Sequence, residues 1–207
     1  MSEEPPILLV AGLGNPGLRY SRTWHNMGYL TLDYWAESKG LTFKPGRGDY
    51  FQLSYQSPNG KVLFIKPTAY MNLSGVPVGR ILRYQDYLPE NSLIVCDDVA
   101  LPLGTLRIRR SGSGGGQKGL SSIIAELGTE DVPRMRLGIF TEKWRGELSD
   151  YVLSRIPKAL YDEVKKILAA GSEAIDIILE EGITSAMNKV NRRSTEDTNQ
   201  QSTDNKR

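Results

Sequence analysis

The chain has 207 residues, 39% of them apolar and 24% charged, with a formal net charge of +2. A domain of this size buries enough core to fold without metals or disulfides, and its single cysteine, Cys96, cannot pair within the chain. No stretch is long and apolar enough to cross a bilayer, and the N-terminus opens on acids and prolines rather than a secretory core, so the expectation is a soluble, cytoplasmic protein.

The first element is the apolar run Ile7-Leu8-Leu9-Val10-Ala11, a buried strand that ends in the glycine-rich bend Gly12-Leu13-Gly14-Asn15-Pro16-Gly17. Asn26 to Lys39 has Met27, Leu30, Leu32 and Trp35 at helical spacing and stops at Gly40. Asp49 to Gln56 and Lys61 to Pro67 read as a hairpin about Asn59-Gly60. A helix is predicted over Val76 to Tyr87, then a central strand over Ser92 to Cys96, which makes Cys96 an inert core thiol. Leu106-Arg107-Ile108-Arg109 alternates as a strand with one wet face.

A Gly/Ser loop follows at Ser111 to Gly116, then a helix over Leu120 to Leu127 and a strand over Met135 to Phe140. Two helices are expected between Arg155 and Glu181. Residues 191–207 hold no aliphatic or aromatic residue and read as a disordered polar tail behind a catalytic domain at 1–190. The alternation of strands and helices predicts one three-layer α/β domain, with a mixed, mostly parallel central sheet flanked by helices.

His25 is the only histidine. It follows the first strand closely, and Asp97 stands at the end of a predicted central strand, where α/β proteins gather their sites. The two can meet, with Asp97 fixing the imidazole tautomer and His25 activating water. Asp98 is the other candidate orienter, although strand neighbours point oppositely. A lone histidine is also a common hydrogen-bonded core residue. There is no Gly-x-Ser-x-Gly elbow and no cysteine near a second histidine, so water is the economical nucleophile.

Gly12, Gly14 and Gly17 meet the spacing of a dinucleotide fingerprint, but Pro16 would interrupt the helix that fingerprint requires. One histidine and one buried cysteine argue against zinc, and only an oxygen-ligand site at Asp97 and Asp98 is conceivable for magnesium. The expectation is no metal and no cofactor. In Lys66 to Gly75, Asn72 or Ser74 can cap a helix, or Asn72 can join Asn15 in matching peptide groups beside a Met71 wall. Arg107, Arg109, Arg110, Lys118, Arg134, Arg136, Lys143 and Arg145 concentrate positive charge around the Gly112–Gly116 loop. They form either an ordinary solvated face or a phosphate-backbone surface, with loop amides adding donors.

Together these segments resemble the bacterial peptidyl-tRNA hydrolases, monomeric enzymes that release peptides from tRNA. The resemblance rests on Gly12 to Gly17, Tyr20, Thr23-Trp24-His25-Asn26-Met27-Gly28, Lys66 to Gly75, Asp97-Asp98, Leu101 to Gly104 and Arg134 to Ile139. It implies ester hydrolysis of peptidyl-tRNA at the acceptor end, with His25 as base and Asp97 as orienting carboxylate. It also implies that Asn15, Met71 and Asn72 hold the peptide, Tyr20 lies near the terminal adenosine, and Arg109 and Arg136 grip the 5′ phosphate. Alternation adds Arg107 to the Arg109 face.

The chain departs from that family where Gln117-Lys118 stands for the usual His-Asn, Trp24 for an arginine and Phe140 for a glycine. Gln117 and Lys118 are expected at the substrate, one able to donate a hydrogen bond but not take a proton, the other bringing a charge. The same departures leave open a second reading, an RNA-processing partner with weak or no hydrolysis.

Overall fold

The computed structural model describes residues 4–142 and 146–191. Seven strands form one sheet: β1 (Leu9–Gly12), β2 (Lys44–Pro45), β3 (Tyr50–Ser57), β4 (Gly60–Pro67), β5 (Ser92–Pro102), β6 (Leu106–Arg109) and β7 (Arg134–Phe140). Their order across the sheet is β2-β3-β4-β1-β5-β7-β6. The central four, β4, β1, β5 and β7, pair in parallel. Antiparallel β2–β3–β4 and β6–β7 close the two sides. This is the mixed α/β sheet expected from the sequence.

Alternation along the central strands divides the core into two layers. Val10, Leu93, Val95, Met135 and Leu137 face one side, packed under α1 (Met27–Ser38) and α5 (Tyr161–Glu181). Leu9, Ala11, Ile94 and Cys96 face the other, under α2 (Gly75–Gln85) and α3 (Lys118–Leu127). Trp35 stacks on Phe64 with ring centroids 4.0 Å apart and anchors α1 to β4. The short α4 (Leu148–Leu153) lies beyond β7, against the turn that carries His25.

Three expectations need correction. The strand predicted as Ser92 to Cys96 runs on to Pro102, because β7 continues to pair with it and a register shift after Asp98 absorbs the mismatch. The two helices expected between Arg155 and Glu181 are a single 21-residue α5 behind a 3₁₀ turn at Lys158–Leu160, since its apolar stripe from Val164 to Leu179 is unbroken. Residues 183–191 are helical, and Asn191, assigned to the tail, is tied into the domain. Its side chain accepts from Ile108 N–H at 3.0 Å and donates to Ile108 O at 3.0 Å. The rest of the predicted tail lies outside the described residues.

The strand order sets the place of the site. From β1 the chain moves to β4 on one side, then crosses to β5 on the other, leaving a crevice at the carboxyl ends of β1 and β5. The segments after β1 and β4, the end of β5 and the start of α3 all converge there.

Candidate active site

His25 lies in a 3₁₀ turn, Trp24–Asn26, immediately before α1. Both neighbours are fixed. Trp24 is buried beside Tyr151, ring centroids 5.7 Å apart. Asn26 makes a reciprocal pair with the bend after β1, accepting from Asn15 N–H at 2.8 Å and donating to Asn15 O at 3.0 Å. Gly28 lets the first turn of α1 settle on the sheet: a Cβ there would sit 2.3 Å from Val95 O and 2.4 Å from Leu13 N. Any side chain at position 28 would lift His25 away from β5.

The imidazole meets Asp97. Nδ1 is 3.0 Å from Oδ1 and 2.9 Å from Oδ2, and both residues are buried, 7% and 2% exposed. A carboxylate accepts, so Nδ1 carries the hydrogen, and in the neutral ring Nε2 keeps its lone pair. Asp98 faces the opposite layer, as strand alternation requires. It accepts from Arg136 Nη1 at 3.0 Å and from Ala100 N–H at 2.8 Å, so it does not orient His25.

A cleft of about 690 Å³ opens over the pair. Asn15, Tyr20, Met71, Asn72, Gln117 and Lys118 line it together with His25 and Asp97. Its wall on the α4 side is Leu148, Ser149, Val152 and Leu153, residues that sequence reasoning did not single out because no motif marks them. Asn26 was also missed as a positioning group, although it adjoins the histidine.

Two lining residues offer less than their types suggest. Asn15 Oδ1 is occupied by Met71 N–H at 2.9 Å, so Asn15 brings only its amide N–H donors to the cleft, not an acceptor as well. Gln117 Nε2 donates to Asp97 Oδ1 at 2.9 Å, and Oε1 caps α3 by accepting from Leu120 N–H at 2.8 Å. Gln117 therefore hydrogen-bonds the carboxylate rather than standing open to a ligand. Asn72 and Lys118 are exposed to the cleft.

The cationic segment also divides. Arg107 and Arg109 project from β6 into solvent on one face. Register places them opposite Arg136 and Arg134 of β7, so the four arginines form a block across two strands. Arg134, read from sequence as surface charge, is 1% exposed. It donates to the carbonyls of Val132 at 2.6 Å, Gly112 at 2.6 Å, Ser113 at 3.2 Å and Glu130 at 3.2 Å. Burial, then the nearby Arg136 charge, lowers its pKa.

Arg136 is engaged as well: it donates to Asp98 Oδ2 at 3.0 Å and to Ser113 O at 2.8 Å. The Gly/Ser loop turns the carbonyls of Gly112 and Ser113 toward these two arginines. Gly115, at φ +59°, brings its backbone so close that a Cβ would lie 2.5 Å from Arg136 Nη1. Arg110 is paired with Glu4. Lys143 and Arg145 lie outside the described residues.

A buried imidazole–carboxylate pair at the strand ends of a mixed α/β sheet, open to a cleft lined by amides, has the geometry that general-base hydrolysis requires. Residues 9–200 match the profile of the peptidyl-tRNA hydrolase family. The chain is 38% identical over 188 residues to the peptidyl-tRNA hydrolase of Thermodesulfovibrio yellowstonii, covering 90% of this chain and 100% of that one. It is 42% identical over 185 residues to that of Chloroflexus aurantiacus, covering 88% and 98%. The crystal structure of peptidyl-tRNA hydrolase from Acinetobacter baumannii superposes with a TM-score of 0.83 at 27% identity, over 92% of this chain and 97% of that one. The chain belongs to the peptidyl-tRNA hydrolase family.

Proposed function

We propose that the protein hydrolyses the ester joining a peptide to the 3′-terminal ribose of tRNA, with His25 as general base. The observation that carries this reading is the His25–Asp97 contact: Nδ1 is engaged at 2.9 Å, which leaves Nε2 as the ring's one available base. Nε2 takes a proton from water, and the resulting hydroxide adds to the ester carbonyl. The tetrahedral oxyanion is stabilised by the amide of Asn15 and the ammonium of Lys118. Collapse breaks the bond to the ribose oxygen, which takes the proton back from the imidazolium and leaves as the 3′-hydroxyl. The peptide leaves as a carboxylic acid and loses its proton to solvent. Asp97 stabilises the imidazolium between the two transfers.

Met71 and the α4 wall supply apolar surface for the peptide, and Asn72 and Tyr20 meet polar groups near the scissile bond and the terminal nucleoside. Arg107 and Arg109 offer exposed charge to the acceptor-stem phosphates, with Arg136 behind them in a supporting position. The proposed working form is a monomer acting on peptidyl-tRNA. No helix among the described residues is long and apolar enough to cross a membrane. A substrate of this kind places the work in the cytoplasm.

The test is release of labelled peptide from peptidyl-tRNA. His25→Ala should lower kcat by about 10²- to 10⁴-fold with tRNA binding intact. Near-normal turnover by that variant would refute the base assignment. Tight tRNA binding by the unmodified protein with no release would favour the RNA-processing reading.

A further inference from the structure

Gln117 is engaged at both ends of its amide. Oε1 is fixed by the N–H of Leu120 in the first turn of α3, so the orientation of the amide is decided and Nε2 must face Asp97. Asp97 then receives hydrogens from two directions, the ring of His25 and the amide of Gln117, with Oδ1 shared between them. The terminal torsion of an aspartate is intrinsically soft, and two donors from separate elements remove that freedom.

We infer that Gln117 is a positioning residue for the hydrolysis: it locks the Asp97 carboxylate so that His25 presents Nε2 to the cleft, and it ties that alignment to the start of α3. This inference rests on the reading of His25 as the base. The link is built with a neutral amide, so it adds no proton-binding group beside the imidazole. The other titratable or charged groups around the cleft are Tyr20, Tyr70, Asp98 and Lys118. Asp98 is turned to Arg136, and α4 contributes only Leu148, Ser149, Val152 and Leu153.

Two substitutions separate positioning from helix capping. Gln117→Asn keeps a good N-cap side chain but is too short to hold both Leu120 N–H and Asp97. Gln117→Glu also keeps an acceptor for Leu120 N–H, but it replaces the donor to Asp97 with an anion. Two carboxyls at this distance share protons as a pair, so the variant site takes up a proton at higher pH than Asp97 does beside Gln117.

The experiment measures kcat, KM, the pH dependence of kcat/KM and the thermal midpoint for the wild type and both variants on peptidyl-tRNA. Gln117→Asn should lower kcat about tenfold, with KM within about twofold and the acid limb unmoved. Gln117→Glu should move the acid limb upward by about one pH unit and lower kcat at pH 7, with a near-normal thermal midpoint. Wild-type kcat and an unmoved limb in Gln117→Glu would overturn the inference, as would an effect confined to KM, which would make Gln117 a substrate contact. His25→Ala serves as the reference. Turnover by His25→Ala would remove the base reading itself. An inactive His25→Ala beside a wild-type-like Gln117→Glu would remove only the role of Gln117.

Discussion

The cleft over β1 and β5 and the arginine block on β6–β7 are both rich in polar side chains, yet they use them in opposite ways. In the cleft, buried polar groups hold one another so that Nε2 of His25 and the amide donors of Asn15 stay available. In the arginine block, buried Arg134 and half-buried Arg136 spend donors on loop carbonyls and Asp98, and the outer pair, Arg107 and Arg109, stays open to solvent. Residue type names the chemistry available. Burial and partners decide whether it goes to a ligand or to the fold.

The sharpest way to break that contrast is to remove Arg134. Arg134→Met takes the donors away from the Val132 and Gly112 carbonyls, and we expect a loss of about 3 kcal/mol, seen as a thermal midpoint lower by roughly 6–12 °C. Residual activity measured well below that midpoint should keep a normal KM for peptidyl-tRNA. A normal midpoint with a raised KM would move Arg134 into the tRNA-binding group. The outer pair should behave in reverse. Arg107→Ala with Arg109→Ala should raise KM about tenfold and flatten the salt dependence of binding by a slope of about 2, with kcat and stability near wild type. An unchanged salt slope would take these two residues off the tRNA surface.

The smallest expected effect is at Cys96. Burial first, then the neighbouring Asp97 charge, pushes its thiol pKa far upward. In the folded protein it should resist alkylation even at pH 9 and react only on unfolding. Modification of the native protein at the rate of a free thiol would show the β5 layer to be open.

Much of this was legible from residue patterns for physical reasons. Ile7 to Ala11 and Ser92 to Cys96 are apolar enough to be central strands, and Asn59-Gly60 marks the β3–β4 turn. A unique histidine near the end of one central strand, and an aspartate at the end of another, can be paired on topology alone. The roles of Gln117 and Arg134 were not legible. A glutamine in a Gly-rich stretch and an arginine in a basic stretch look exposed, and only the packing of α3 and β7 buries them. The α4 wall was invisible for a related reason, since it reaches the cleft through tertiary contact with the His25 turn rather than through any local pattern.

A single histidine makes the central claim directly observable. Nitrogen NMR of ¹⁵N-histidine-labelled protein at pH 8 should show one imidazole, protonated at Nδ1 and bare at Nε2, with Asp97→Asn disturbing that assignment. A ring that carries its hydrogen on Nε2, or exchanges freely between tautomers as in an unstructured peptide, would contradict the account.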